Sequence, residues 1–189
     1  MRVISGIAKG TKLSSIDSNR TRPTLDRVKE ALFSILQTYI NEETIVLDLF
    51  AGSGQIGIEF LSRGAKKAVF GESNPQAVKM IHQNLHKTHF SEKSKVMSKD
   101  YKKILKNIKE DGLKFNIIYI DPPYKLDLAV DSVQYIIDNN ILDENGLIIV
   151  ETDEEDREIK ELEKIDVQMC DLRKYGRVKL IFLRGKEHK

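Results

Sequence analysis

The chain has 189 residues, of which 40% are apolar and 32% are charged, and these proportions are typical of a globular protein with a single domain, here residues 1–189. It contains no apolar run of the ~18 residues that a membrane helix needs, and no apolar core of a secretory signal, so we expect a cytoplasmic location and no membrane partner. Its single cysteine excludes an intrachain disulfide framework and a cysteine-based zinc site.

Positive charge is concentrated at the two ends of the chain, although the net charge is only +2. Residues 1–29 carry seven basic and two acidic side chains, and so do residues 167–189. If the two ends meet in space, they form a surface suited to a polyanion. Charge runs of this size also occur on ordinary solvated faces, and charge alone does not decide between the two.

Residues 1–40 are predicted to form a basic extension in front of the main fold. Residues 2–13 have the pattern of a small β-hairpin that turns near Lys9 and Gly10. Residues 14–23 are polar and predict a loop. Thr24 is expected to cap a helix with an apolar stripe from Val28 to Tyr39.

Residues 41–189 are predicted to form an α/β fold with helices on both faces of a sheet. Strands are expected at 44–49, 68–72, 94–98, 115–120 and 146–151, alternating with helices at 55–63, 75–85, 101–110, 128–137 and 154–164. Short links between alternating strands and helices indicate a parallel sheet. Residues 166–174 and 177–183 are joined by a turn too short for a parallel crossover, so they predict a closing antiparallel hairpin. The expected sheet is therefore seven-stranded and mostly parallel.

A glycine-rich loop follows the first predicted strand. Gly52, Gly54 and Gly57 have the GxGxxG spacing of dinucleotide-binding proteins, and Glu72 ends the next strand, where such proteins place the acid that binds the ribose. Asp48, at the end of the first strand, would repel a pyrophosphate. It suits the positively charged amino-acid end of S-adenosylmethionine. We therefore predict S-adenosylmethionine as the cofactor, with a nicotinamide or flavin dinucleotide as the alternative.

The residues expected to surround this cofactor follow three successive strands. They are Asp48, Phe50, Ala51, Gly52, Ser53 and Gly54 after the first strand, Glu72 and Ser73 after the second, and Asp100 and Tyr101 after the third. Glu72 is expected to accept hydrogen bonds from the ribose hydroxyls. Asp100 is expected to accept one from the adenine amino group, although an aspartate in front of a helix is also an ordinary N-cap.

The fourth predicted strand leads directly into Asp121-Pro122-Pro123-Tyr124. The prolines lack N–H groups, so the polar groups left nearby are acceptors, such as the Asp121 carboxylate and the Pro122 carbonyl. Acceptors select a donor such as the exocyclic amine of a nucleobase, and a carboxylate stabilises the positive charge that develops when this amine is methylated. Tyr124 offers a face on which a base can stack. Because parallel strands end at the same edge of a sheet, we expect Asp121 and the glycine-rich loop to share a cavity.

Together these residues resemble a class I, Rossmann-like methyltransferase that uses S-adenosylmethionine. The segments MRVISGIAKG (1–10), TRPTLDRVKEALFSIL (21–36), DLFAGSG (48–54), DPPY (121–124) and YGRVKL (175–180) are more specifically similar to the bacterial RsmD family of 16S rRNA guanine-N2 methyltransferases. The resemblance implies an enzyme that acts on 16S rRNA, and we expect its substrate to be a small-subunit assembly particle. Nothing in the sequence demands an oligomer or a bound metal, so we expect a monomer and no metal. It implies that Asp121, Pro122 and Tyr124 hold the target guanine. It also implies that the basic N-terminal arm, including Arg20, Arg22 and Arg27, touches RNA or closes over the cofactor. The RNA-binding residues that we predict in this arm are Arg2, Lys9, Lys12, Arg20, Arg22 and Arg27.

Two other functions remain as alternatives. A DNA adenine-N6 methyltransferase uses the same chemistry, but such enzymes usually carry a separate domain that recognises the DNA sequence, and residues 1–40 are too few for one. An NAD-dependent oxidoreductase is the alternative from a different class. His82, His86 and His89 follow one another at helical spacing, but no carboxylate or cysteine joins them, so no metal site is predicted.

Overall fold

The computed structural model describes residues 1–15, 22–123, 126–153 and 155–186. The strands are β1 (Ile45–Asp48), β2 (Lys67–Glu72), β3 (Ser94–Ser98), β4 (Phe115–Ile120), β5 (Leu142–Thr152), β6 (Val167–Tyr175) and β7 (Val178–Gly185). The α-helices are α1 (Arg22–Leu36), α2 (Gln55–Ser62), α3 (Pro75–Thr88), α4 (Tyr101–Glu110), α5 (Leu126–Asp138) and α6 (Glu155–Leu162). Within the described residues, no helix combines the length and the apolarity needed to cross a bilayer.

The strands form one seven-stranded sheet in the order β3-β2-β1-β4-β5-β7-β6. Strands β1 to β5 pair in parallel, and β7 is antiparallel to both β5 and β6. The predicted parallel sheet with a closing hairpin is therefore confirmed. The strand order reverses between β1 and β4, and at such a reversal the loops after neighbouring strands diverge and open a crevice at the carboxyl edge of the sheet.

Three helices cover each face of the sheet. Apolar side chains of α1, α2 and α3 pack on one face, and those of α4, α5 and α6 pack on the other. Strand β4 contributes to both faces: Ile117 and Tyr119 lie toward α1 and α2, whereas Ile118 and Ile120 lie toward α4 and α5. This alternation explains why β4 is almost wholly apolar in sequence.

The N-terminal segment (residues 1–15) forms the predicted small hairpin. Arg2 and Lys12 form an antiparallel bridge, and the N–H groups of Val3 and Leu13 donate to the carbonyls of Thr11 and Met1, both at 3.0 Å. The turn spans residues 5–10 and binds to α2, because the N–H groups of Ile7 and Ala8 donate to the backbone oxygen and the hydroxyl of Ser62, at 2.9 and 3.0 Å. The segment therefore forms the hydrogen bonds of a short hairpin with itself and further hydrogen bonds with α2.

Two predicted boundaries are wrong. Helix α1 begins at Arg22, so Thr24 lies inside the first turn and is not its N-cap. Strand β5 begins at Leu142 and not at Gly146, because Leu142 already pairs with Phe115 before a register shift. The apolar pattern from which the strand was predicted is interrupted at this register shift, so the pattern located only the second part of the strand.

Candidate active site

A cavity of about 740 Å³ opens at the carboxyl edge of the sheet, where the strand order reverses. The structure brings most of the predicted site residues to its wall, namely Phe50, Gly52, Ser53, Glu72, Ser73, Asp100, Tyr101, Asp121 and Pro122. Asp48, Ala51 and Gly54 do not line it. The glycine-rich loop and Asp121 therefore face the same space.

Glu72 fixes the shape of the glycine loop (residues 49–54). Its Oε2 accepts the Gly52 N–H at 2.9 Å, and its Oε1 accepts the Asn74 N–H at 2.8 Å. Gly52 and Gly54 have φ angles of +54° and +78°, a left-handed conformation in which other residues are strained. Because each carboxylate oxygen can accept two hydrogen bonds, Glu72 keeps capacity for a ligand while it positions the loop.

Asp48 lies beneath the loop and is only 2% exposed. Its Oδ2 accepts the Gly57 N–H at 3.0 Å, in the first turn of α2. Burial raises the pKa of Asp48 to about 7, and the Gly57 hydrogen bond only partly opposes this effect. A Cβ at Gly57 would lie 2.3 Å from the Phe70 ring, so this third glycine of the motif is required by helix–strand packing.

An aromatic pair forms the part of the wall that follows β1 and β3. The rings of Phe50 and Tyr101 lie 5.6 Å apart at an angle of 40°. Asp100 caps α4 by accepting the Lys103 N–H at 3.1 Å, and this hydrogen bond lowers the pKa of Asp100. The helix-cap interpretation of Asp100 is thus confirmed, and the same residue also lines the cavity.

The wall at β4 and β5 contains three polar side chains, Tyr119, Asp121 and Glu151. Asp121 and Pro122 are half-buried. The Tyr119 hydroxyl donates to the Glu151 carboxylate, and both side chains are more than nine-tenths buried. Burial, followed by the charges of Glu151 and Asp121, raises the pKa of Tyr119 well above its usual value. Tyr119 therefore stays neutral and acts as a hydrogen-bond donor.

Helix α1 closes the cavity opposite these residues with Val28, Lys29 and Leu32. Lys29 is 3% exposed, and its Nζ donates to the Arg2 carbonyl at 2.7 Å and lies 3.4 Å from Glu59 Oε2. Burial lowers the pKa of Lys29, and the Glu59 charge opposes this effect. Lys29 thereby links α1 to both the N-terminal segment and α2.

Asn84 on α3 links the N-terminal segment to the glycine loop. Its Oδ1 accepts the Ser14 N–H at 2.8 Å, and its Nδ2 donates to the carbonyls of Ser14 and Ser53, both at 2.9 Å. The chain in front of α1 is thus coupled through one buried side chain to a loop that lines the cavity.

Helix α1 packs beside the hairpin formed by β6 and β7. Tyr175 and Val178 flank the β6–β7 turn and pack against the apolar cluster that contains α1. Near the other end of β7, the Arg184 guanidinium donates a hydrogen bond to the hydroxyl of Tyr39, which lies beyond the end of α1, at 3.2 Å. The start of α1 therefore lies toward the turn that carries Arg177.

The predicted RNA-binding residues differ in how far the structure describes them. Arg2, Lys9, Lys12 and Arg27 are exposed. Arg22 begins α1. Arg20, like the predicted base-stacking residue Tyr124, lies outside the described residues.

The three histidines do not share one helix. His82 and His86 lie on α3, whereas His89 follows its end with a φ of 60°. In the part of the chain that the structure describes, no group of three or more histidine, cysteine or acidic side chains could hold a metal ion.

Comparison with known proteins extends the resemblance over almost the whole chain. A family model described as "Conserved hypothetical protein 95" matches residues 1–184. The chain belongs to this family. A Haemophilus influenzae member named ribosomal RNA small subunit methyltransferase D is 38% identical over 156 residues, which cover 82% of this chain and 80% of that protein. The Escherichia coli K12 protein of the same name is 35% identical over 155 residues, covering 82% and 76%.

A solved structure shows the same fold. The Escherichia coli protein yhhF, a candidate methyltransferase, is 27% identical, covers 98% of both chains and superimposes with a TM-score of 0.80. The predicted RsmD-like family and the Rossmann-like methyltransferase fold are both confirmed.

Sequence reasoning missed Glu59, Lys29, Asn84, Tyr119 and Glu151, which all contribute to this family member's cavity or to its closure. Glu151 had a usable signal, because it ends an apolar strand as Asp48 and Glu72 do. The other four lie inside helices or strands, and the sequence does not show their partners.

Proposed function

We propose that the protein transfers a methyl group from S-adenosylmethionine to the exocyclic N2 amine of a guanine in 16S rRNA of the small ribosomal subunit. The observation that carries the proposal is the shared cavity: the acceptors Asp121 and Pro122 face the space bounded by the glycine loop and Glu72. The relatives named ribosomal RNA small subunit methyltransferase D support the choice of substrate.

The donor set of the cavity fits S-adenosylmethionine better than a dinucleotide. The Gly52 N–H, which a pyrophosphate would need, already donates to the Glu72 carboxylate. The charged side chains of the wall are Glu72, Asp100, Asp121, Glu151, Lys29 and Lys99, and this acidic majority favours a cationic ligand. These contacts weigh against the NAD-dependent alternative.

Each residue proposed to hold the cofactor would bind the part of it that matches the chemistry of its side chain. Glu72 would accept hydrogen bonds from the ribose hydroxyls, and Asp100 from the adenine amino group. Phe50 and Tyr101 would contact the adenine ring, and the backbone of residues 51–54 with Ser73 would enclose the rest, above the buried Asp48. When bound, S-adenosylmethionine supplies an electrophilic methyl group.

The reaction requires that a weakly nucleophilic aromatic amine be oriented and its developing charge stabilised. We propose that the Asp121 carboxylate and the Pro122 carbonyl accept hydrogen bonds from the two N–H groups of the amine. These hydrogen bonds favour a pyramidal nitrogen. As positive charge develops on that nitrogen, the half-buried carboxylate of Asp121 stabilises it. Asp121 can then accept a proton from the methylated, positively charged nitrogen. Tyr124 would stack on the extruded base.

The RNA-facing surface is proposed to include the basic N-terminal stretch, whose residues Met1 and Lys29 line the cavity. Its exposed members are Arg2, Lys9, Lys12 and Arg27, and Arg20 and Arg22 belong to the same stretch of chain. A family member that acts on rRNA would work in the cytoplasm on a small-subunit assembly particle, and we propose that it does so as a monomer.

The test is Asp121→Asn, which keeps the side-chain shape and removes the negative charge. Methyl transfer from labelled S-adenosylmethionine to small-subunit particles from a methylation-deficient strain should fall about 100- to 1,000-fold. Affinity for S-adenosylmethionine, measured by calorimetry, should change less than twofold. Asp111→Asn, an exposed aspartate paired with Lys95 at the end of α4, is the matched control and should behave as wild type.

Digestion of the labelled RNA and mass spectrometry should identify N2-methylguanosine. Label in duplex DNA in place of RNA would favour the adenine-N6 alternative. Tight binding of NADH without binding of S-adenosylmethionine would contradict the proposal. Loss of cofactor binding in Asp121→Asn would show that Asp121 holds the cofactor and not the base.

A further inference from the structure

A buried carboxylate, Glu151, lies next to the half-buried Asp121 at the carboxyl edge. Strands β4 and β5 pair in parallel with Ile120 beside Val150, so Asp121 and Glu151 are the next residues of two neighbouring strands. Neighbouring strands lie about 4.8 Å apart, and both side chains line the cavity. A planar base held by Asp121 would therefore lie within reach of Glu151.

Glu151 has apolar neighbours on its face of the sheet. It is 8% exposed, and Ile149 and Leu180 on the same face belong to the core cluster under α1. A carboxylate is costly in such surroundings, and packing would be served by a leucine or valine. The Tyr119 hydroxyl donates to Glu151 and fixes its orientation. The Lys29 ammonium, which also lines the cavity, donates to the Arg2 carbonyl and pairs with Glu59.

We propose that Glu151, positioned by Tyr119, recognises the target base by accepting the N1–H of guanine while Asp121 accepts from the N2 amine. This inference rests on the proposed function. Guanine presents N1–H and N2–H donors side by side, which two adjacent carboxylates match. Adenine presents a lone pair at N1, and a buried carboxylate facing that lone pair repels it. Glu151 thus selects guanine, and Asp121 stabilises the charge on the amine.

The test uses a base that keeps the reacting amine and lacks the N1–H. The nucleotide methylated by the wild type is first mapped. Fragments of 16S rRNA that carry guanine or 2,6-diaminopurine at that position are then ligated into full-length RNA and assembled into particles. The wild type should prefer guanine about 100-fold in kcat/KM, since an unpaired polar group in a buried site is strongly rejected.

In Glu151→Gln the amide offers both a donor and an acceptor, so it can pair with either base. We expect kcat/KM for guanine to fall about tenfold and the preference over 2,6-diaminopurine to shrink to within about threefold. Tyr119→Phe keeps Glu151 but removes the hydrogen bond that orients its carboxylate. It should lower kcat/KM for guanine by about fivefold, with a smaller loss of the preference for guanine over 2,6-diaminopurine. Glu144→Gln, an exposed position on the same strand, is the matched control.

The outcomes separate the two proposals. A wild type that methylates no guanine would overturn the proposed function and this inference with it. A wild type that methylates guanine, together with a Glu151→Gln variant that binds S-adenosylmethionine normally and keeps the full preference, would overturn this inference alone. In that case Glu151 serves only to satisfy Tyr119.

Discussion

Two carboxylates on either side of the glycine loop are both buried, but their surroundings differ. Asp48 is 2% exposed and accepts the Gly57 N–H. Glu59 is fully buried, accepts the N–H groups of Ile4 and Ser5 at 2.8 and 3.0 Å, and contacts two cations, Lys29 and Arg63. The comparison teaches that two carboxylates with similar burial can have very different numbers of hydrogen-bond donors and cations around them.

The difference corresponds to two tasks. Glu59 joins the N-terminal segment, α1 and α2 into one unit, and this unit closes the cavity. Asp48 has its pKa raised to about 7, so the charge beneath the glycine loop changes near neutral pH. One carboxylate is permanently paired for stability. The other is left poorly compensated next to the proposed cofactor site.

The largest effect is expected from breaking the Glu59 network. Glu59→Ala leaves the Lys29 ammonium buried without its counter-ion and removes the acceptor of two backbone N–H groups. Losing one partner of a buried ion pair costs about 3–5 kcal/mol of unfolding free energy. Urea denaturation followed by circular dichroism measures this loss.

A double-mutant cycle shows whether the charge pair is responsible. Adding Lys29→Met to Glu59→Ala removes the stranded cation, so the double variant should be more stable than Glu59→Ala alone. Arg63→Ala, at the partner that is 16% exposed, is the control and should cost about 1 kcal/mol. If Glu59→Ala lost less unfolding free energy than Arg63→Ala, Glu59 would not anchor the N-terminal segment.

The contrast also explains what the sequence could predict. Asp48, Glu72 and Asp121 follow apolar strands, and one rule about strand ends was enough to place them at a common edge. Glu59 lies within an apolar helix, where the sequence offered no reason to expect a buried charge. Its partners Ile4 and Lys29 are 55 and 30 residues away, and only the folded chain brings them together.

The same limit applied to the N-terminal segment. Its alternating pattern correctly indicated a chain reversal, but the turn forms hydrogen bonds with Ser62 of α2. A Cβ at Gly6 would lie 1.7 Å from the Ser62 carbonyl, so this glycine permits the close approach. The pairing of the segment with itself follows its local pattern, whereas its hydrogen bonds to α2 depend on tertiary contacts, which local periodicity does not contain.

An intermediate effect is expected from the pH dependence that Asp48 imposes. The folded-state pKa of about 7 lies above the ordinary value of 3.8, so between these values the folded protein keeps a proton that the unfolded chain has lost. Stability therefore falls as pH rises. At ~1.4 kcal/mol per pH unit, the loss between pH 5 and pH 8 should be about 3 kcal/mol.

Asp48→Asn keeps an acceptor for the Gly57 N–H and removes the titrating group. The difference in unfolding free energy between variant and wild type should be small at pH 5 and should favour the variant at pH 8. Urea titrations at four pH values measure this difference. Parallel curves for the two proteins would mean that Asp48 is ionised throughout the range.

The smallest effect is expected at Asn84, which is as buried as Glu59 but carries no charge. Asn84→Ala removes the hydrogen bonds to both backbone groups of Ser14 and to the Ser53 carbonyl. Because the stranded groups are neutral, the cost should be about 2 kcal/mol, below that of Glu59→Ala. Gln83→Ala, at the neighbouring exposed position of α3, should change stability by less than about 0.5 kcal/mol. A loss equal to that of Glu59→Ala would show that hydrogen bonds to the N-terminal segment, and not the charge of Glu59, account for the stability of both networks.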